Sequence, residues 1–224
     1  VIRWGLFVMR VFVIAFSRRT ASHHRGPTPG TDGANLESLP MALSIGQLKR
    51  ICPLALDPHL TRILDPLNAT MREFGMSGSI LRVAAFVAQT AHETAGFHYL
   101  EEIWGPTDAQ RRYDPPFDLA EKLGNIERGD GYRYRGRGLI QITGRTNYRN
   151  IGDKMGLDLL KKPEQLSLPS NAARSAGFYW QAKNLNALAD QADFETITRR
   201  INGGLNGYED RRAYYARAIQ VIAR

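Results

Sequence analysis

The chain has 224 residues, of which 43% are hydrophobic and 23% charged, the composition of a globular protein with a sizeable core in one large domain or two small ones. Cys52 is the only cysteine, which excludes an intramolecular disulfide and a cysteine-built metal cage, and its apolar neighbours Ile51, Pro53 and Leu54 argue against thiol chemistry. The formal net charge of +8 suits an anionic polymer such as nucleic acid or a bacterial wall, but no nucleic-acid fingerprint accompanies it.

Residues 1–40 do not read like the rest. Arg3 precedes Trp4, Leu6, Phe7 and Val8, a basic-then-apolar order like that of a secretory signal, but Arg10 interrupts it. The run is also shorter than the roughly 20 residues a membrane-spanning helix needs. Ser17 to Leu39 then has the Gly-, Pro-, Ser- and Thr-rich composition of a disordered linker. Met41 opens onto a helical pattern with Ser44 and Gln47 at capping-box spacing. The folded unit is therefore expected over 41–224, with 1–40 a disordered, signal-like or mis-assigned extension.

Helical periodicity then marks 44–51, 59–74, 79–94, 147–155, 171–183, 193–201 and 209–222, with Gly, Pro or Asn at most junctions. The fold class is mainly α. The third of these helices is apolar from Ile80 to Ala91 apart from Arg82, ends in His92-Glu93, and is expected to be closed by Gly96. A carboxyl at a helix C-terminus beside Phe86 and Phe97 is favoured in its protonated form, which is what a general acid requires. Glu101-Glu102 follow, and two carboxyl groups flanking a glycosidic bond are the minimum for its hydrolysis, with either Glu101 or Glu102 able to partner Glu93. His92, His98, His23, His24 and His59 show no zinc spacing, so no metal is expected.

Residues 97–130 form a long irregular stretch of the kind that is usually functional. Tyr132 to Thr143 alternates enough to predict a short hairpin, with Gly136 and Gly138 permitting a bulge or a close backbone approach. Gln141 and Thr143 alternate with Ile140 and Ile142, so their polar groups project to one face where they can hold a sugar or orient a water, and Asn147 and Tyr148 continue that surface. The run Ile201 to Gly207 has too many glycines for ordinary capping, which implies that something approaches its backbone closely. Arg211 and Arg212 are candidates for binding a carboxyl group.

Together HETAGF at 92–97, EE at 101–102, DGYRYRGRGLIQITGRTNY at 130–148 and RRINGGLNG at 199–207 resemble the family 19 glycoside hydrolases, chitinases and phage endolysins, over most of 41–224. The resemblance implies a lysozyme-like, bilobal, mainly α domain with a small β-hairpin region. It implies cleavage of β-1,4 links in N-acetylglucosamine polymers with inversion, no cofactor, and a polysaccharide partner, chitin or peptidoglycan glycan. Neither nucleic acid nor a stable membrane span is expected, and the chain is expected to be a monomer. Its location is left open between secretion to a cell wall and cytoplasmic storage before phage-type release. Position by position, Glu93 matches the general acid, Glu102 the general base with Glu101 as fallback, and Thr143 the hydroxyl that holds the nucleophilic water. Gln141, Asn147 and Asn202 match residues lining the sugar cleft, Arg211 fits a further family position, and His92, Glu101 and Tyr148 are expected to bind substrate beside them. Bacterial and phage members usually read E-N-L-N-Y after the first motif, whereas here Glu102 is followed by Ile103-Trp104-Gly105-Pro106-Thr107. A catalytically inactive carbohydrate-binding homologue is the alternative.

Overall fold

The computed structural model describes residues 41–224, so the expectations for 1–40 fall outside the described residues. Its α-helices, in chain order, are α1 (Ile45–Ile51), α2 (Asp57–Glu73), α3 (Ile80–Glu93), α4 (Asp108–Arg111), α5 (Asp118–Leu123), α6 (Asp130–Arg133), α7 (Arg145–Met155), α8 (Pro169–Ala182), α9 (Leu185–Asp190), α10 (Phe194–Asn202) and α11 (Tyr208–Ile222). A 3-10 turn at Pro163–Ser167 precedes α8. All seven helices expected from periodicity are present. The additional helices α4, α5, α6 and α9 span six residues or fewer, too few turns to print a 3.6-residue pattern.

Local signals set the helix starts. Ser44 and Gln47 close a reciprocal capping box on α1, Ser79 accepts from Arg82 N at the head of α3, and Asp193 accepts from Thr196 N at the head of α10. Val83 to Ala88 in α3 are almost completely buried, and the small, apolar sides of this helix let neighbours pack all round it. α11 runs along α3, α1 lies against α11 and α2, and α2 packs on α8. Gly177 makes the last contact possible, since a Cβ there would stand 2.3 Å from the Phe74 ring. Phe86 of α3 meets Trp180 of α8 edge to face at 5.2 Å. Arg82 clamps Asp190 of α9 with two hydrogen bonds, at 2.7 and 2.6 Å. Among the described residues no helix is long and apolar enough to cross a membrane.

Two details differ from expectation. Helix α3 is capped by Thr94, and the left-handed position after it belongs to Ala95 (φ 50°), not to Gly96. Ala95 N reaches His92 O and Gly96 N reaches Ala91 O, the paired bonds of a Schellman ending. Gly96 and Phe97 continue with φ of 70° and 64°, and for Ala95 and Phe97 such backbone costs about 1–2 kcal/mol each. The surroundings hold the turn: Arg62 donates to Phe97 O and His98 O, and Thr94 Oγ1 accepts from Phe97 N. The expected hairpin is the second difference. Tyr132 and Arg133 lie in α6, and pairing is limited to isolated antiparallel bridges of Arg137 with Ile142 on one side and Glu101 on the other.

Candidate active site

These two bridges decide which way the acidic pair faces. Successive side chains on extended backbone point to opposite sides. Glu101 turns toward Arg135, Arg137 and Ser167, accepting from Arg137 Nε at 2.7 Å and from Ser167 Oγ at 3.0 Å. Burial pushes the Glu101 carboxyl up, but hydrogen bonds and charge from Arg137 and Arg135 outweigh it and hold the group below the usual carboxylate range. Glu101 is thereby committed to ion pairs within the protein.

Glu102 turns the other way and is 7% exposed. Its Oε1 accepts from Gln110 Nε2 at 3.0 Å and from the Tyr113 hydroxyl at 3.1 Å, and its Oε2 accepts from Gly136 N at 2.9 Å. Three donors fix the plane of the carboxylate and compensate its burial. Burial, reinforced by the neighbouring Glu102 charge, drives the Tyr113 hydroxyl far above the ordinary tyrosine range, so that it stays a donor.

Gln141 and Thr143 come to the same place. A Cβ on Gly136 would lie 2.7 Å from Gln141 Oε1, 3.3 Å from Glu102 Oε2 and 3.3 Å from Thr143 Oγ1, so these three polar atoms crowd one glycine. Gln141 sits at φ 54° in the tight turn between the bridged residues. Its Nε2 donates to Gly138 O, while its buried Oε1 has no hydrogen-bond partner. Thr143 Oγ1 donates to Gln141 O, leaving its lone pairs to accept. Asn147 Nδ2 donates to Thr143 O at 2.7 Å and steadies this corner from α7.

Glu93 lies at the last helical position of α3, 8% exposed. The expected surroundings were apolar; instead Arg211 of α11, itself 1% exposed, places Nη2 2.5 Å from Glu93 Oε1 and Nη1 2.5 Å from Gln89 Oε1. Gln89 in turn donates to Thr198 of α10. No protein hydrogen bond among the described residues reaches Glu93 Oε2. Next to it, His92 Nδ1 meets Asp210 Oδ2 at 2.7 Å, and that hydrogen bond holds the Asp210 carboxyl below its usual range. The close approach expected along 201–207 is made by the His92 ring, since a Cβ on Gly207 would stand 2.3 Å from its Cε1. Asn202 Oδ1 accepts from Asn206 N, and Asn206 O accepts from Arg211 Nε, so this loop is tied to the Glu93 end of the site.

Several expected substrate contacts take other positions. Tyr148 is fully buried, donates to Arg135 O and accepts from Arg137 Nη1, and so has no surface to offer a glycan. Arg211 is spent on Glu93, Gln89 and Asn206, while Arg212 stands on the surface beside Glu209. Glu101 is held as described above. Sequence reasoning missed Gln89, Gln110, Tyr113 and Asp210. Gln89 had a signal, a polar residue one helical turn before Glu93 inside an apolar run; Gln110 and Tyr113, within the irregular stretch, had none.

Residues 69–189 match the family model described as chitinase class I. A protein of Haemophilus influenzae named a glycosyl hydrolase family 19 domain-containing protein is 34% identical over 189 residues, covering 73% of this chain and 91% of its own. The chain belongs to glycoside hydrolase family 19. An endochitinase of Arabidopsis thaliana is 39% identical over 123 residues, 54% of this chain and 39% of that protein. The chain spans 39% of the length of that endochitinase and 57% of the length of an endochitinase of Gossypium hirsutum. Solved chitinase structures share its mainly helical, lysozyme-like fold: chitinase C from Streptomyces griseus superposes with a TM-score of 0.60 at 22% identity, over 87% of this chain and 79% of the other. The class IV chitinase of Zea mays also gives 0.60, at 24% identity over 81% and 92%.

Proposed function

We propose that residues 41–224 form the catalytic domain of an inverting hydrolase that cleaves β-1,4 links in N-acetylglucosamine-containing polymers. The observation that carries this reading is the convergence of Glu102 Oε2, Thr143 Oγ1 and the unpartnered Gln141 Oε1 around Gly136. A fixed carboxylate oxygen beside two acceptors is a seat for a water. Glu102 takes its proton while Thr143 accepts its second hydrogen, which aims an oxygen lone pair at the sugar carbon. A buried, unpartnered Oε1 costs about 1–3 kcal/mol in desolvation, which a water or a sugar N–H or O–H placed there relieves.

Glu93 takes the general-acid role. Arg211 holds Oε1, and Oε2 is the oxygen that delivers a proton to the leaving glycosidic oxygen. Attack by water from the side opposite the leaving group inverts the anomeric centre, which requires the two carboxyl groups to stand roughly 6.5–9.5 Å apart in the productive complex. Chitin-type chains are the first substrate to test, in keeping with the endochitinases among the relatives. Reducing-end release from chitin hexamer should fall by about 1,000-fold or more in Glu93→Gln and by about 100-fold or more in Glu102→Gln, each folded as wild type. Retention of most turnover in Glu93→Gln would sink the assignment, and sugar binding without turnover in the wild type would make the chain a carbohydrate-binding homologue.

A further inference from the structure

Around the Glu101 ion pairs, four arginines, Arg128, Arg133, Arg135 and Arg137, line an open cavity of about 480 Å³ together with Glu127, Asp130, Tyr132 and Pro163. The charges around it do not balance. Glu101 is held between Arg135 and Arg137, while Glu127 and Asp130 both turn to Arg145. Arg128 and Arg133 are exposed and have no acidic partner among the described residues; Arg133 gives one N–H to the neutral Leu160 O. The cavity adjoins the catalytic corner. Arg135 covers the Tyr132 ring at 4.1 Å, Tyr132 meets Trp104 at 5.5 Å, and Trp104 stands two residues after Glu102 and 6.0 Å from the Tyr113 ring whose hydroxyl donates to Glu102. Tyr132 is 52% exposed and Trp104 is half-buried, so a chain of aromatic contacts runs from the buried Tyr113 beside the carboxylate out to the arginines.

We propose that this cavity binds an oxyanion, a carboxylate or a phosphate, carried as a substituent on the glycan, so that the site prefers an anionic N-acetylhexosamine polymer to a neutral one. The proposal rests on the glycan-hydrolase reading above for the polymer, but not for the anion. Two unbalanced guanidinium groups in a concave site supply planar donors that match carboxylate or phosphate geometry. The segment from Ile103 to Thr107, where the chain departs from the resembled pattern, builds the connecting wall through Trp104.

Calorimetric titration of the full chain tests this without requiring turnover, using muramyl dipeptide for the carboxylate, glycerol 3-phosphate for the phosphate and chitotriose as the neutral sugar. At least one anion should bind with an affinity that falls as salt is raised, and Arg128→Gln/Arg133→Gln should weaken it about five-fold or more while chitotriose binds as before. Binding of only one anion identifies the oxyanion. Failure of both anions to bind, or equal anion affinity in the double variant, overturns the proposal. Anion binding without chitotriose binding would leave the cavity in place and remove the glycan-hydrolase reading.

Discussion

Arg211 on α11 sets its Nη2 2.5 Å from Glu93 Oε1 at the end of α3, and thereby joins the two helices at the point where the catalytic acid is proposed to act. The guanidinium is 1% exposed and its remaining donors go to Gln89 and Asn206. Arg211→Ala would strand the Glu93 carboxylate in a nearly closed site. Removing one partner of a buried pair costs about 3–5 kcal/mol, and urea denaturation should show a loss of that size. A change within about 0.5 kcal/mol would mean that the pair is solvated in solution.

Glu101 and Glu102 should separate cleanly into stability and activity. Glu102→Gln is expected to lose far more turnover than Glu101→Gln, and the reverse order would move the base to Glu101. The Glu101 carboxyl is depressed by Arg137 and Arg135, so its stabilising contribution is fully present above the ordinary carboxylate range and is lost as pH falls through its lowered value in the folded protein. The stability gap between wild type and Glu101→Gln should therefore be full at neutral pH and close below about pH 4. A pH-independent gap would contradict the ion-pair assignment.

Gly136→Ala isolates the water seat. The backbone there is not left-handed, yet the added methyl would sit 2.7 Å from Gln141 Oε1 and 3.3 Å from Glu102 Oε2 and Thr143 Oγ1. The far ends of these side chains must move, so turnover should drop by about 10- to 100-fold with an unchanged circular dichroism spectrum. Wild-type turnover would show that the three atoms do not hold the attacking water.

Tyr113→Phe removes one of the three donors to Glu102 without touching substrate. One hydrogen bond to a carboxylate is worth about 1.5–3 kcal/mol, and if about half of that is lost from the transition state kcat falls roughly five-fold with KM unchanged. A rise in KM at constant kcat would instead place Tyr113 in direct contact with the sugar.

The long helices were legible from their apolar periodicity and junction residues, and Ser44 closes the capping box its spacing suggested; Ser79 and Asp193 also cap their helices. The motifs carried Glu93, Glu102, Gln141 and Thr143 into the site because the resemblance rests on those residues. Partner choice was less legible. Arg211 and Glu93 are 118 residues apart, and only the packing of α11 along α3 brings them together. An arginine beside Arg212 on a helix rich in charged and polar residues gives no sign that it is the buried one. The hairpin reading failed for a related reason: alternation over Tyr132 to Thr143 was real, but Tyr132 and Arg133 are claimed by the Asp130 turn, whose carboxylate accepts from Ile126 N and Glu127 N. The turn at Ala95 gave no signal either, because its left-handed residue is an alanine held by Arg62 and Thr94.

The most direct measurement of the central claim is the anomeric form of the first product released from chitin hexamer, followed by proton NMR before mutarotation. Water seated by Glu102 and Thr143 opposite a proton delivered by Glu93 predicts the α-anomer at the new reducing end, absent from the Glu93→Gln reaction. A β-anomer as first product, or equal product from Glu93→Gln, would contradict it.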